Sequence, residues 1–182
     1  MHAICVFCGS NAGNNPAFVE AARAVGEELG KRSLTLVYGG GGKGMMGAVA
    51  DGALAAAGKV ISVIPHWLIE KESAHKGVTR MIRVETMLER KARMIELADA
   101  FLVLPGGLGT LDELFEIATW SQLAPQGTEK HQGIFNVAGY FYPIAQWLDN
   151  AVAQGFIRSD TPGMPLVSSN LTTLLEHFLH PE

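Results

Sequence analysis

The sequence predicts an α/β protein: a single Rossmann-like, doubly wound domain over residues 1–182, built on a mainly parallel sheet. Three observations predict it. Short apolar runs alternate along the chain with longer segments of helical spacing. Each connection is long enough to cross over a sheet face, which parallel strands require. Glycine-containing loops at 9–10, 39–44 and 105–110 directly follow apolar runs, where ligands bind in such sheets.

Taken in order, Ala3 to Cys8 reads as a buried first strand, and Asn15-Pro16 supplies an N-cap and first-turn proline for a helix to about Arg32. Leu34 to Tyr38 is the second strand. It runs into Gly39-Gly40-Gly41-Gly42-Lys43-Gly44, then a small-residue helix from Met45 to Ala57 capped by Gly58. Val60 to Ile64 forms a third strand ended by Pro65, and residues 66–79 read as an irregular polar loop or lid. Ile82 to Val84 is a short strand, followed by a helix from Thr86 to Ala98 with a Thr86/Glu89 capping box. Phe101 to Leu104 is a further strand. Beyond the helix after it come a strand near 133–137, a helix from about Pro143 to Gln154 and a last helix from Leu171 to Leu179.

The bulk numbers narrow the function classes. The chain is 48% hydrophobic and 18% charged, with 21 glycines, as a soluble globular protein would be. A net charge of −4 without a basic cluster argues against nucleic acid as a partner. No apolar run approaches the roughly 20 residues of a membrane helix, and MHAICVFCGS lacks a charged leader region, so no membrane partner and a cytoplasmic location are expected. Cys5 and Cys8 form C-x-x-C inside an apolar run, which makes them buried, inert thiols rather than a redox or metal pair.

The stretch Leu102 to Trp120, LVLPGGLGTLDELFEIATW, carries the chemistry. A strand stops at Pro105, Gly106, Gly107 and Gly109 follow, and Thr110 opens a helix. That layout aims backbone N–H groups at an anion. Asp112 and Glu113 sit just inside the helix, so a phosphorylated substrate would lie beside a carboxylate. Thr110-x-x-Glu113 also fits a capping box, which would fix the direction of Glu113.

Gly39, Gly41 and Gly44 fit G-x-G-x-x-G, but the next strand ends Ile64-Pro65-His66 without the acid that a nicotinamide site requires. A P-loop fails as well, because Val37 stands five places before Lys43 where a glycine is needed and Gly44 replaces Ser or Thr. A pyridoxal site would need a buried lysine, for which Lys91 has no further support. The glycines serve either close helix–sheet packing or a ligand at the sheet's end.

At 100° per residue, the helix 86–98 gathers Leu88, Ala92 and Ile95 with Met87, Met94, Leu97 and Ala98 into an apolar arc. Lys91 projects from within that arc and Arg90 from its edge. Burying two cations is costly, so an acidic partner or a phosphate is expected to meet them.

Together these residues resemble the LONELY GUY family of cytokinin riboside 5′-monophosphate phosphoribohydrolases. PGGLGTLDE (Pro105 to Glu113), Arg90-Lys91 and GGGGKGMMG (Gly39 to Gly47) carry the resemblance, which runs from VFCGS to the helix around Trp147. The chain departs from the common pattern at Lys43, Met45 and Leu88. The resemblance implies hydrolysis of the N-glycosidic bond of an N6-modified adenosine monophosphate, a homodimer, a small-molecule nucleotide as partner, and no metal or redox cofactor. Arg90 and Glu113 match its catalytic pair, and Glu72, Lys91, Gly107 to Thr110 and Thr119 its substrate-binding positions. With the neighbouring loop positions, the candidate binding set comprises Ser10, Gly40 and Gly41; Glu72 and Lys91; Gly106, Gly107, Leu108, Gly109, Thr110, Leu111 and Asp112; and Thr119. An alternative is a noncatalytic nucleotide or cofactor carrier of the same fold.

Overall fold

The computed structural model describes residues 2–125, 128 and 130–180. Among them seven strands form one sheet: β1 (Ala3–Phe7), β2 (Thr35–Tyr38), β3 (Val60–Pro65), β4 (Arg80–Val84), β5 (Ala100–Val103), β6 (His131–Phe135) and β7 (Leu166–Ser168). Every pairing is parallel, in the order β4-β3-β2-β1-β5-β6-β7. The chain builds outward from β1 to β4, then returns to start β5 on the other flank of β1. Connections leaving β1 and β5 therefore diverge, and the crevice between them opens at the strands' carboxyl ends.

Burial on both faces explains the strand sequences. All of AICVF in β1 and AFLV in β5 is buried, so neither strand needs a polar face. Ile4, Val6 and Cys8 pack on one side with α1 (Pro16–Lys31), α2 (Gly44–Ala55) and α6 (Leu171–Leu179). Ala3, Cys5 and Phe7 face the other side, which α3 (Met87–Leu97), α4 (Leu108–Leu123) and α5 (Tyr142–Ala153) cover with Met94, Leu114 and Ile117 prominent. The two thiols thus lie on opposite faces, free and buried. Burial pushes both up from their ordinary range.

Helix boundaries follow local chemistry. Asn15 caps α1, its side chain accepting from the Ala17 N–H at 3.0 Å. Thr86 accepts from the Glu89 N–H at 3.1 Å, while Glu89 reaches back to the Glu85 N–H at 2.9 Å, one residue before the cap. Helix α2 ends differently from the sequence expectation. Ala57, at φ 56°, takes the left-handed position, and the N–H groups of Ala57 and Gly58 close onto Leu54 and Ala53. Gly58 is needed for space instead, because a Cβ there would stand 2.8 Å from the Gly30 Cα.

Two further expectations are corrected, and one strand went unread. Helix α4 starts at Leu108, not Thr110, because Gly107 is its N-cap. Leu88 is 71% exposed and Ala92 is exposed as well, while Arg90, Met94 and Ala98 face the sheet. Counting Arg90 as polar turned the apolar arc the wrong way around the helix. Strand β7 has only three half-buried residues after a Pro/Gly-rich stretch, too few for a periodic signal.

Helices α1 and α2 touch backbone to backbone. A Cβ on Gly26 would lie 2.0 Å from the Val49 carbonyl oxygen, and one on Gly52 would lie 2.2 Å from that of Arg23. This contact seats α2, whose N-terminus carries the glycine loop after β2. Replacing Gly26 by Ala must push the helices apart, so Gly26→Ala is expected to lower stability by about 2–3 kcal/mol in urea unfolding.

Candidate active site

A cavity of about 450 Å³ lies over the carboxyl ends of β1, β2 and β5. Its walls come from the three loops that sequence singled out: Gly9, Ser10 and Asn11 after β1, Gly39 after β2, and Pro105 to Gly109 after β5. Helices α3 and α4 and the segment carrying Glu72 complete it.

The start of α4 forms one end. Gly107 caps the helix with no side-chain hydrogen bond, and the first helical bond runs from the Leu111 N–H to the Gly107 carbonyl at 3.2 Å. The N–H groups of Leu108, Gly109 and Thr110 therefore precede the helix's own bonding and carry its positive dipole end. Thr110 is not a cap; it is the third helical residue, 4% exposed, and packs against the loop. A Cβ on Gly106 would lie 2.1 Å from Thr110 Oγ1, whereas Cβ atoms on Gly107 and Gly109 would meet nothing within 4 Å. Tight packing beneath the loop and open space above it leave room for an anion.

Arg90 is the one charged side chain that is fully buried among the described residues. Only 5% exposed, it donates from Nε to the Val63 carbonyl at 3.1 Å and from Nη2 to the Gly39 carbonyl at 3.0 Å. These donors run to main-chain carbonyls, of Val63 within β3 and Gly39 just after β2, so the expected acids meet its charge rather than its hydrogen bonds. Gly39 exists for this arginine: a Cβ there would stand 1.9 Å from Nη2. Nearby Glu113 and Glu72 both feel the guanidinium, which lowers the pKa of each, though burial outweighs it.

Glu113 lies deep in the same cavity, about one turn into α4. Burial pushes its carboxyl up to about 7, opposed by Arg90 and reinforced by Asp112. Glu72 is also raised, chiefly by burial, and its Oε2 is buried without a hydrogen-bond partner. The segment bearing it is strapped over the glycine loop. Gly42 N–H donates to the Ser73 carbonyl at 3.0 Å, His75 N–H to the Gly40 carbonyl at 3.0 Å, and Gly41 bridges Ala74. A half-buried carboxyl raised in pKa, a fixed cation and an anion cradle around one cavity suit displacement at a phosphorylated sugar.

The sequence-selected residues fall in three places. Ser10, Glu72, Arg90, Lys91, Gly106 to Thr110, Asp112 and Glu113 line the main cavity. Lys91 is paired with Asp112 at 3.1 Å and with Glu116. Gly40 and Gly41 lie beneath the strap, and Leu111 and Thr119 line a separate groove on the outer face of α4. Sequence reasoning missed Met45, Met46, Met87 and Met94, and also Phe18 and Tyr140. Tyr140 follows β6, and only the place of β6 beside β5 in the sheet brings it to this end of the crevice.

Residues 46–178 match a family model described as "Possible lysine decarboxylase". A protein of Oryza sativa subsp. japonica named probable cytokinin riboside 5′-monophosphate phosphoribohydrolase is 46% identical over 157 residues, covering 86% of this chain and 70% of its own. A cytokinin riboside 5′-monophosphate phosphoribohydrolase of Arabidopsis thaliana is 44% identical over 154 residues, covering 85% and 71%. Among solved structures, the molybdenum cofactor carrier protein of Chlamydomonas reinhardtii superposes with TM-score 0.73 at 16% identity over 98% of both chains, a likeness of fold. With that identity over most of its length, and with the cavity walled by the residues of PGGLGTLDE and Arg90-Lys91, the chain belongs to the LONELY GUY family.

Proposed function

We propose that residues 1–182 work as one hydrolase domain that cleaves the N-glycosidic bond of adenosine 5′-monophosphate and its N6-modified forms. The products are the free base, adenine or a cytokinin type, and ribose 5-phosphate. The relatives at 44–46% identity, named as phosphoribohydrolases, support an enzyme of this class. The observation that carries the reading is Glu113, half-buried about one turn inside α4 beside Arg90, with the helix's first N–H groups at the cavity's edge.

The chemistry follows from that placement. The 5′-phosphate sits on the N–H groups of Leu108, Gly109 and Thr110 and holds the ribose in place. As the C1′–N9 bond breaks, positive charge grows on the sugar, and the Glu113 carboxylate stabilises it from close range. Glu113 then takes a proton from the attacking water, as a glycosidase carboxylate does, while the base departs with the N9 electron pair and is protonated by solvent, to which Glu113 later returns its proton. Arg90, fixed by the Val63 and Gly39 carbonyls, neutralises the phosphate and carboxylate cluster. The methionines of the cavity suit an apolar tail on the base, being flexible and polarizable.

The enzyme is expected to be a cytoplasmic homodimer. Its two free, buried thiols suit a reducing compartment. Leu108 is 88% exposed and Leu123 78%, on the α4 face that also carries Thr119 and Trp120, a surface that a second copy would cover.

Incubation with AMP or isopentenyl-AMP is expected to release base and ribose 5-phosphate, resolved by chromatography. Glu113→Gln should slow release by about 100-fold or more. Nucleotide bound without turnover by the wild type would favour the carrier reading instead. Because the ionised carboxylate does the work, kcat/KM should rise with pH through about 7 and level off above it.

Stability should run the opposite way. The folded-state pKa of Glu113, about 7, lies above its ordinary 4.5, so its contribution is complete below 4.5 and is lost as pH rises through 7. At pH 8 the buried charge costs up to about 3 kcal/mol. Glu113→Gln should therefore melt above the wild type at pH 8 and level with it near pH 4.5.

A further inference from the structure

Tyr140 is tied to the glycine loop from the far side of the crevice. It follows β6 in a short turn in which Ala138 (φ 50°) and Gly139 (φ 75°) both take left-handed backbone. The turn is anchored by Asn136, 4% exposed, whose side chain accepts from the Phe141 N–H at 2.7 Å. The Asn136 N–H in turn donates to the Ser168 carbonyl at 2.9 Å. The Tyr140 ring packs edge-on against Phe18 and Phe141, with centroids 5.5 and 5.0 Å away. Its hydroxyl donates to the Gly106 carbonyl at 2.5 Å, and the side chain lines the main cavity.

That carbonyl belongs to the peptide between Gly106 and Gly107, the hinge of the anion cradle. With glycine on both sides, the peptide can rotate as a plane. Such a flip exchanges the directions of the Gly106 C=O and the Gly107 N–H and carries φ of Gly107 from −98° into the left-handed region, which glycine tolerates freely. Turned that way, a carbonyl dipole stands where the Gly107 N–H now points, one residue ahead of the Leu108, Gly109 and Thr110 donors. Gly106 cannot itself be exchanged for a stiffer residue, because Thr110 and the Gly9 nitrogen occupy its Cβ direction. The loop therefore needs an external clamp.

We propose that Tyr140 is a positioning residue for the substrate's phosphate, its hydroxyl pinning the Gly106 carbonyl so that the α4 cradle keeps its donors facing the anion. This rests on the phosphoribohydrolase reading above. Its reach is the phosphate, not the glycosidic bond, so the effect belongs in KM.

The test uses Tyr140→Phe, which keeps the ring on Phe18 and Phe141 and removes only the hydroxyl. With AMP as substrate, KM is expected to rise about three- to tenfold with kcat changed less than twofold. Affinity for ribose 5-phosphate, measured by calorimetry without turnover, should fall by the same factor. Adenosine, which lacks the phosphate, supplies the second arm: its affinity, measured by the same calorimetry, is expected to be unchanged in Tyr140→Phe, since the clamp acts only through the phosphate loop. An unchanged KM for AMP in Tyr140→Phe, or an equal loss of affinity for adenosine, would overturn the clamp. A wild type that binds ribose 5-phosphate but releases no base would count against the hydrolase reading, while the calorimetry would still decide the clamp.

Discussion

The site depends on one buried cation. Arg90 enters the sheet beside two neighbouring strands and donates to the Val63 carbonyl within β3 and the Gly39 carbonyl just past β2. A guanidinium taken from water costs several kcal/mol unless its donors are met, and carbonyls meet two of them without neutralising the charge. The remaining positive field acts on the two acids of the cavity, Glu113 and Glu72. Gly39 is the concession that lets the arginine in, since any side chain there would collide with Nη2. The glycine run after β2, so suggestive of a phosphate loop, is thus partly explained by an arginine arriving from another helix.

The rest of that run is explained by the strap. Gly40, Gly41 and Gly42 present a smooth backbone edge on which residues 73–75 hydrogen-bond, bringing Glu72 over the cavity. His75 locks the strap's far side. Its Nδ1 accepts from the Gly77 N–H at 3.0 Å, which leaves Nε2 as the protonated nitrogen, donating to Asp51 at 3.0 Å. A carboxylate with an unpartnered oxygen is held in place by backbone geometry rather than by a counter-charge.

How much of this was legible in the sequence depends on the kind of signal. The parallel fold was readable because its central strands are apolar throughout and helices α1, α3, α5 and α6 are amphipathic. The catalytic stretch was readable because a strand, a glycine loop and an acidic first turn are consecutive in the chain. Arg90 was recognised as misplaced, but its partners were not, because they are main-chain atoms from strands far off in sequence. Thr110 looked like a helix cap because a threonine three residues before a glutamate has that spacing; the glycine one turn earlier took the cap, since Thr110 is packed beneath the loop. Tyr140 carried no pattern of its own, and only the order of β5 beside β6 brings it to Gly106.

The placement of β1 has a consequence for how the protein forms. Its N-terminus is fastened by Asp99, whose carboxylate accepts from the His2 and Ala3 N–H groups at 2.6 and 2.9 Å, a contact spanning 96 residues between Ala3 and Asp99. The crevice exists only once β5 has docked against β1. A chain emerging from the ribosome therefore carries β1 to β4 for some time with one flank of its central strand bare. Closing so long a loop is slow relative to local helix formation. Until it closes, the early half of the molecule is an edge in need of covering, and the last step that covers it is also the step that creates the cavity.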